Sequence, residues 1–335
     1  MTWFEDLTGF REVSAEQVRE NIRLDGDTLT SLVNGKTFTC GRLEIPSLGE
    51  LRERVCSCDG TPGRLSLEEV VADVADLHAD EQNAGSLFQV ASQFNLLEMA
   101  GPSVTPEEGI GIYEDDHTQG PVCAIACGAG TIYRNYFAKI DGELGQTADR
   151  QIDCLADLGT ALGNTEERLW QMRNGYALAS RDGLTEIPEQ LEASTEKQRD
   201  RLREQLRIGI QWDTQVTIRD SSHLVTQAYC SALPVAYSQH PSDLWESFAR
   251  LVLEASYEAT VCAAILNVQE TGNKRVFLTL LGGGAFGNRT DWIMDSIERA
   301  LRLHGDRDLG VAIVSYSTSK PTVRRLVKQW EKGLV

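Results

Sequence analysis

The chain has 335 residues, 41% hydrophobic and 24% charged, which suits a globular protein of one large domain or two smaller ones. Its 32 Lys and Arg against 50 Asp and Glu leave a net charge of −18, a poor basis for gripping nucleic-acid phosphates or an anionic membrane. Met1 to Phe10 holds no long apolar run, and no stretch approaches the roughly 20 apolar residues of a membrane span, so a cytoplasmic protein with neither nucleic acid nor membrane as partner is expected.

In chain order, Leu29–Val33 and Thr37–Leu43 flank Asn34-Gly35, the pair that supplies both φ > 0 positions of a tight hairpin turn. Pro46-Ser47 then opens a helix. Residues 86–99 (SLFQVASQFNLLEM) form a near-continuous apolar run, as expected for a strand buried on both faces of a mostly parallel sheet. Residues 102–121 read as a loop, and Gly128-Ala129-Gly130 as the entry to a helix over 131–138. Residues 141–213 read as a polar, mostly helical insertion in which Thr195 and Gln198 form a capping box.

Strand and helix alternation then returns. A strand over 223–230 precedes a long helix with Trp245, Phe248, Val252, Ala255, Ala259, Cys262 and Leu266 at helical spacing. Strands over 275–281 and 309–316 bracket a helix over 290–303, and a last helix presents Val323, Leu326, Val327 and Trp330. The expected architecture is an α/β fold: a mixed, mostly parallel sheet, an N-terminal α+β extension over 1–69, and a core over 70–335 carrying the insertion. The eight cysteines include a Cys56-x-Cys58 pair but no zinc spacing, and all are read as reduced.

The segment with the clearest chemistry is Gly282-Gly283-Gly284-Ala285-Phe286-Gly287-Asn288, placed between a strand and a helix. Glycines let several amides converge on one concavity, and the helix adds its positive end, an arrangement suited to a phosphate or diphosphate. Gly282, Gly284 and Gly287 also satisfy G-x-G-x-x-G, so an NAD-dependent oxidoreductase has to be weighed. Against it, the chain beyond Gly287 has room for only one strand and two helices, and the next strand ends in Ser315-Tyr316-Ser317 without an acid for a ribose. A Walker loop is excluded because Thr30 stands where its first glycine belongs.

Three segments in order resemble the macrodomain superfamily: VVADVADLHAD leading to SLFQVASQFN, ACGAGTIYRNYF, and LLGGGAFGN before a helix. The last is similar to the second diphosphate loop of the poly(ADP-ribose) glycohydrolase-like branch. The resemblance implies an α/β/α sandwich that binds ADP-ribose, often with hydrolysis of an ADP-ribosyl bond. By position, Asp73 would take the adenine amino group and Asn95 a hydroxyl of the distal ribose, with Gln93 also in the ligand set. Gly128, Ala129, Gly130 and Thr131 would face Gly282–Asn288 across the diphosphate, and Phe286 would lie along the distal ribose.

The consecutive glutamates of that branch's catalytic loop are missing between Gly120 and Gly130. The carboxylate required by an oxocarbenium-like transition state is therefore sought among Glu98, Asp115 and Asp116, with His117 as a proton carrier. A divalent cation on Glu114, Asp115 and Asp116 would suit hard oxygen ligands but follows no known spacing. The expected function is hydrolysis of the glycosidic bond between ADP-ribose and a modified protein side chain, with no cofactor and with ADP-ribose as ligand or product. The alternatives are a non-catalytic ADP-ribose-binding module and the oxidoreductase.

Overall fold

A computed structural model describes residues 1–58 and 62–334. Its principal sheet has seven strands: β1 (Arg42–Glu44), β2 (Ser66–Val71), β3 (Leu87–Ser92), β4 (Gly209–Gln215), β5 (Leu224–Ser231), β6 (Arg275–Leu278) and β7 (Gly310–Ser315). They lie in the order β1-β4-β5-β3-β6-β7-β2. Pairing is parallel from β5 to β2 and antiparallel at β1–β4–β5. This is the expected mixed, mostly parallel α/β sheet.

Successive residues of β3 point to opposite faces and meet helices on both. Phe88 stacks on His78 of α1 (Val74–Ala79), with ring centroids 3.9 Å apart. Its neighbour Gln89 donates instead to Thr260 Oγ1 of α2 (Glu246–Thr271). That helix is buried nearly all round, which explains why its apolar residues exceed a single stripe. With the 3₁₀ turn before it, it is the one helix among the described residues long and apolar enough to cross a membrane; 89% of its most apolar window lies inside the protein.

The N-terminal segment builds a second, smaller core. Phe4, Leu7 and Val18 pack with Leu97, Met99, Ile110, Tyr113 and Tyr136. β1 and the helix that follows it join the main core instead, through Leu48, Leu51 and Val55.

Several local expectations change. The 29–43 hairpin forms, but only Gly35 has positive φ and Ser31 N–H reaches across to Lys36 O, so the turn is wider than two residues. Gly128–Thr131 is not a strand-to-helix loop: helix α3 (Gln119–Ala126) precedes it and residues 128–132 are themselves helical. These small residues are there for close packing, since a Cβ on Gly128 would lie 2.7 Å from Trp3 and one on Gly130 would lie 2.7 Å from Thr214 Oγ1. The insertion also contains a hairpin, Trp170–Arg173 with Tyr176–Ala179, and ends in β4 of the main sheet. All eight cysteines are free, and only Cys56 is exposed.

Candidate active site

The cleft is a split in the sheet. β3 and β6 pair only at Leu87–Val276 and Phe88–Phe277. Beyond that point each strand's backbone groups are taken up by side chains. Gln119 accepts from Ala91 N–H and donates to Gln89 O, both at 2.8 Å. On the other lip, Gln89 Oε1 accepts from Thr279 N–H, while the Tyr257 hydroxyl donates to Thr279 O and accepts from Leu281 N–H. No strand has to close the gap, because its hydrogen bonds are already made. The opening lies at the carboxyl ends of parallel strands, where α/β sheets place ligands.

The cleft encloses about 740 Å³ of empty space, counting its open mouth. One wall is the turn after β3, with Gln93, Glu98 and Met99, together with Asp116 and residues 118–121. The facing wall is Thr279–Gly282 and Gly284–Phe286. Tyr176 and Tyr237 complete it, and their rings lie 5.3 Å and 5.6 Å from that of Phe286.

Glu98 is the unusual group. It is 5% exposed, and its Oε1 has no hydrogen-bond partner. Burial pushes its carboxyl well above the usual carboxylate range; the Ser92 hydroxyl and the Arg134 guanidinium oppose the rise without prevailing, and nearby Asp116 adds to it. The Glu98 backbone is fixed by donating to the Tyr113 hydroxyl at 3.0 Å. Arg134 is held from below: its Nε donates to Leu96 O, its Nη2 donates to Thr131 Oγ1, and its guanidinium lies 3.7 Å from the centre of the Tyr229 ring.

Asp116 lines the cleft from a half-buried position, and its Oδ1 accepts from Thr118 N–H at 2.8 Å. Asp115 and His117 are exposed and lie outside the cleft lining. Asp73 caps α1 by accepting from Ala75 N–H. Glu114 accepts from Trp3 N–H, and among the described residues no group of three or more His, Cys, Asp or Glu side chains is placed to hold a metal ion, so the Glu114–Asp116 cation idea does not fit.

Gln93 lines the cleft but spends its amide on the turn, accepting from Met99 N–H and donating to Met99 O. Asn95 is fully buried and does not reach the cleft; its amide donates to Gln151 Oε1 and accepts from Leu97 N–H. Gly128–Thr131 is also buried away from the cleft, so the wall opposite Gly282–Asn288 is Asp116 and residues 118–121 instead.

The Gly282–Asn288 loop is shaped by two anchors. Gly282 has φ +72°, with Ala232 where a side chain would go, and Asn288 ties the loop's far end by donating to Leu233 O. Gly283 is exposed and Gly287 sits against Ala236. Gly284, Ala285 and Phe286 line the cleft, and their backbone N–H groups donate to no acceptor among the described residues. Successive free amides of this kind form a concavity suited to an anion.

Sequence reading missed Gln119, Tyr113, Arg134, Tyr176 and Tyr237. Only Arg134 falls in one of the three macrodomain-like segments, ACGAGTIYRNYF, where the glycines carry the resemblance. Arg134 alone carried a trace of a signal, as the single cation in an otherwise uncharged stretch from 118 to 138.

No family profile and no curated protein matches the chain. Among solved structures it is similar to poly(ADP-ribose) glycohydrolase from Thermomonospora curvata, at 13% identity and a TM-score of 0.44, covering 93% of this chain and 96% of that one. It is also similar to poly(ADP-ribose) glycohydrolase from Deinococcus radiodurans in complex with ADP-ribose, at 11% identity and a TM-score of 0.46, covering 97% and 100%.

Proposed function

We propose that this protein hydrolyses the glycosidic bond between ADP-ribose and a modified protein side chain. One juxtaposition carries the reading: a buried carboxyl, Glu98, whose Oε1 has no hydrogen-bond partner, and a half-exposed one, Asp116, line the same cleft as the free amides of Gly284–Phe286. The Gly282–Asn288 segment, which resembles the second diphosphate loop of the poly(ADP-ribose) glycohydrolase-like branch of macrodomains, supports ADP-ribose as the diphosphate compound held there.

Two carboxyl groups in unlike environments divide acid and base work. Glu98, whose neutral form is favoured by burial, donates its proton to the leaving oxygen or nitrogen as the anomeric bond breaks. Asp116 faces the developing positive charge on the ribose and orients the attacking water. The amides of Gly284, Ala285 and Phe286 hold the diphosphate, and Phe286 packs along the ribose next to Tyr176 and Tyr237. Gln93 and Asn95 keep the turn that presents Glu98 in shape. Asp73, which caps α1 next to the cleft helix α3, is assigned to the adenine side.

The test is release of ADP-ribose from mono-ADP-ribosylated protein and from poly(ADP-ribose) by the purified chain. Calorimetric titration with ADP-ribose and NAD accompanies it. Release together with tighter binding of ADP-ribose than of NAD supports the reading. Binding without release would make the protein a reader of the modification, and tighter binding of NAD would return the oxidoreductase.

A further inference from the structure

We infer that Glu12, in the N-terminal segment and outside the cleft, is a positioning residue for both carboxyl groups of the site; this rests on the hydrolase reading above. Its carboxylate accepts from Ile110 N–H at 3.0 and 3.1 Å and from Gly111 N–H at 2.7 Å, and the Tyr136 hydroxyl donates to it as well. Room for it is made by absent side chains. A Cβ on Gly109, where φ is +87°, would sit 2.6 Å from Glu12 Oε2, and one on Gly111 would sit 3.0 Å from it.

The same stretch is gripped a second time by the N-terminal segment. Trp3 N–H donates to Glu114 Oε2 at 2.8 Å, and its indole N–H donates to Ile110 O at 3.0 Å. The clamped residues form the 3₁₀ turn Gly111–Asp115, from which two contacts run to the cleft. Tyr113, 1% exposed, offers its hydroxyl oxygen to Glu98 N–H. Asp116 N–H donates to Tyr113 O at 3.2 Å, which fixes where the second carboxylate leaves the turn.

A charged acceptor that takes backbone N–H groups is a strong fixture, and a displacement near 1 Å at the reacting groups can cost about 100-fold in rate. Glu12 makes no contact with the Gly284–Phe286 amides, so it acts on turnover and not on diphosphate binding.

The experiment compares wild type, Glu12→Ala and Glu12→Gln in the full chain. It measures kcat and KM for release of ADP-ribose from modified protein, ADP-ribose affinity by calorimetry, thermal midpoint, and amide hydrogen exchange. Glu12→Ala is expected to lower kcat about 10- to 100-fold. KM and ADP-ribose affinity stay within about threefold, and exchange rises at residues 110–116 while the main sheet keeps its protection. Glu12→Gln retains one acceptor oxygen and recovers most of the rate. A kcat for Glu12→Ala within twofold of wild type overturns the proposal. Equal losses in affinity, midpoint and main-sheet protection also overturn it, since they mark general unfolding. If the wild-type chain releases no ADP-ribose, the hydrolase reading fails by itself. Exchange at residues 110–116 then decides the role of Glu12: a local rise supports it as the fixture of this turn, and no rise overturns it.

Discussion

The carboxylate of Glu98 rests directly on Gly120: a Cβ built there would lie 2.4 Å from Glu98 Oε2 and 2.0 Å from Ala91 O. Gly120 is the second residue of α3, so the helix that plugs the split sheet through Gln119 also forms the floor under the buried acid. Gly120→Ala must displace either the helix start or the carboxylate. We expect turnover to fall more than tenfold and the thermal midpoint to drop, with about 1–3 kcal/mol of overpacking cost in denaturant titrations. Unchanged turnover would mean that the helix start moves and the carboxylate stays in place.

Glu98→Gln keeps shape and removes the ionisable proton. Turnover should fall by about 10²–10⁴-fold, with ADP-ribose affinity within a few-fold in a calorimetric titration. As the acid proposed above, Glu98 works in its protonated form. Activity is therefore retained through the pH range where an ordinary carboxyl has already ionised, and falls on the alkaline side as Glu98 loses its proton. A rate that rises with pH through that limb would make Glu98 a base instead.

Gly282 and Gly284 should separate folding from binding. Gly282 has φ +72° and would press a Cβ to 2.4 Å from Ala232, so Gly282→Ala should destabilise the fold by roughly 2–4 kcal/mol. Gly284 has nothing within 4 Å of its Cβ position, so Gly284→Val should leave the thermal midpoint within about 2 °C of wild type. ADP-ribose affinity in that variant should fall at least tenfold, about 1.4 kcal/mol, because the branched side chain occupies the anion's space. A Gly284→Val variant that binds normally would make the loop a structural connection only.

His78 makes stability depend on pH. It is fully buried; Nδ1 lies 2.8 Å from Val74 O and Nε2 lies 3.1 Å from the Gln227 amide nitrogen, a pattern that only a neutral ring satisfies. Burial pulls its pKa down from 6.5 to about 4. Between those values the unfolded chain binds a proton that the folded chain refuses, so stability is full above pH 6.5 and declines as pH falls toward 4. The loss from this group is about 3 kcal/mol. Denaturant titrations at pH 7.5, 6, 5 and 4 should show a steeper acid decline for wild type than for His78→Gln, and parallel curves would contradict the assignment.

Much of the architecture was legible because it is local. Apolar runs such as Leu87–Val90, the spacing of Trp245 to Leu266, and the capping pair Thr195–Gln198 act over one strand or a few turns, and each lies where its pattern placed it. The place of the Gly282–Asn288 loop, between a strand and a helix, was equally readable from its four glycines. The second wall of the cleft was decided only in three dimensions. Gly128–Thr131 carried the same glycine signal but spends it on packing against Trp3 and Thr214. The turn bearing Glu98 and the start of α3 stand in its place. They are brought there by hydrogen bonds between residues far apart in the chain, Gln119 to Gln89 and Ala91, and Glu12 to Ile110 and Gly111. A lone glutamine or glutamate has no periodicity and no characteristic neighbours, so its partner is chosen by where the folded backbone leaves an unpaired N–H or C=O. The sequence therefore determined the sheet, its helices and one glycine-rich loop, and tertiary structure decided which carboxyl groups share a cleft with that loop and how deeply each is buried.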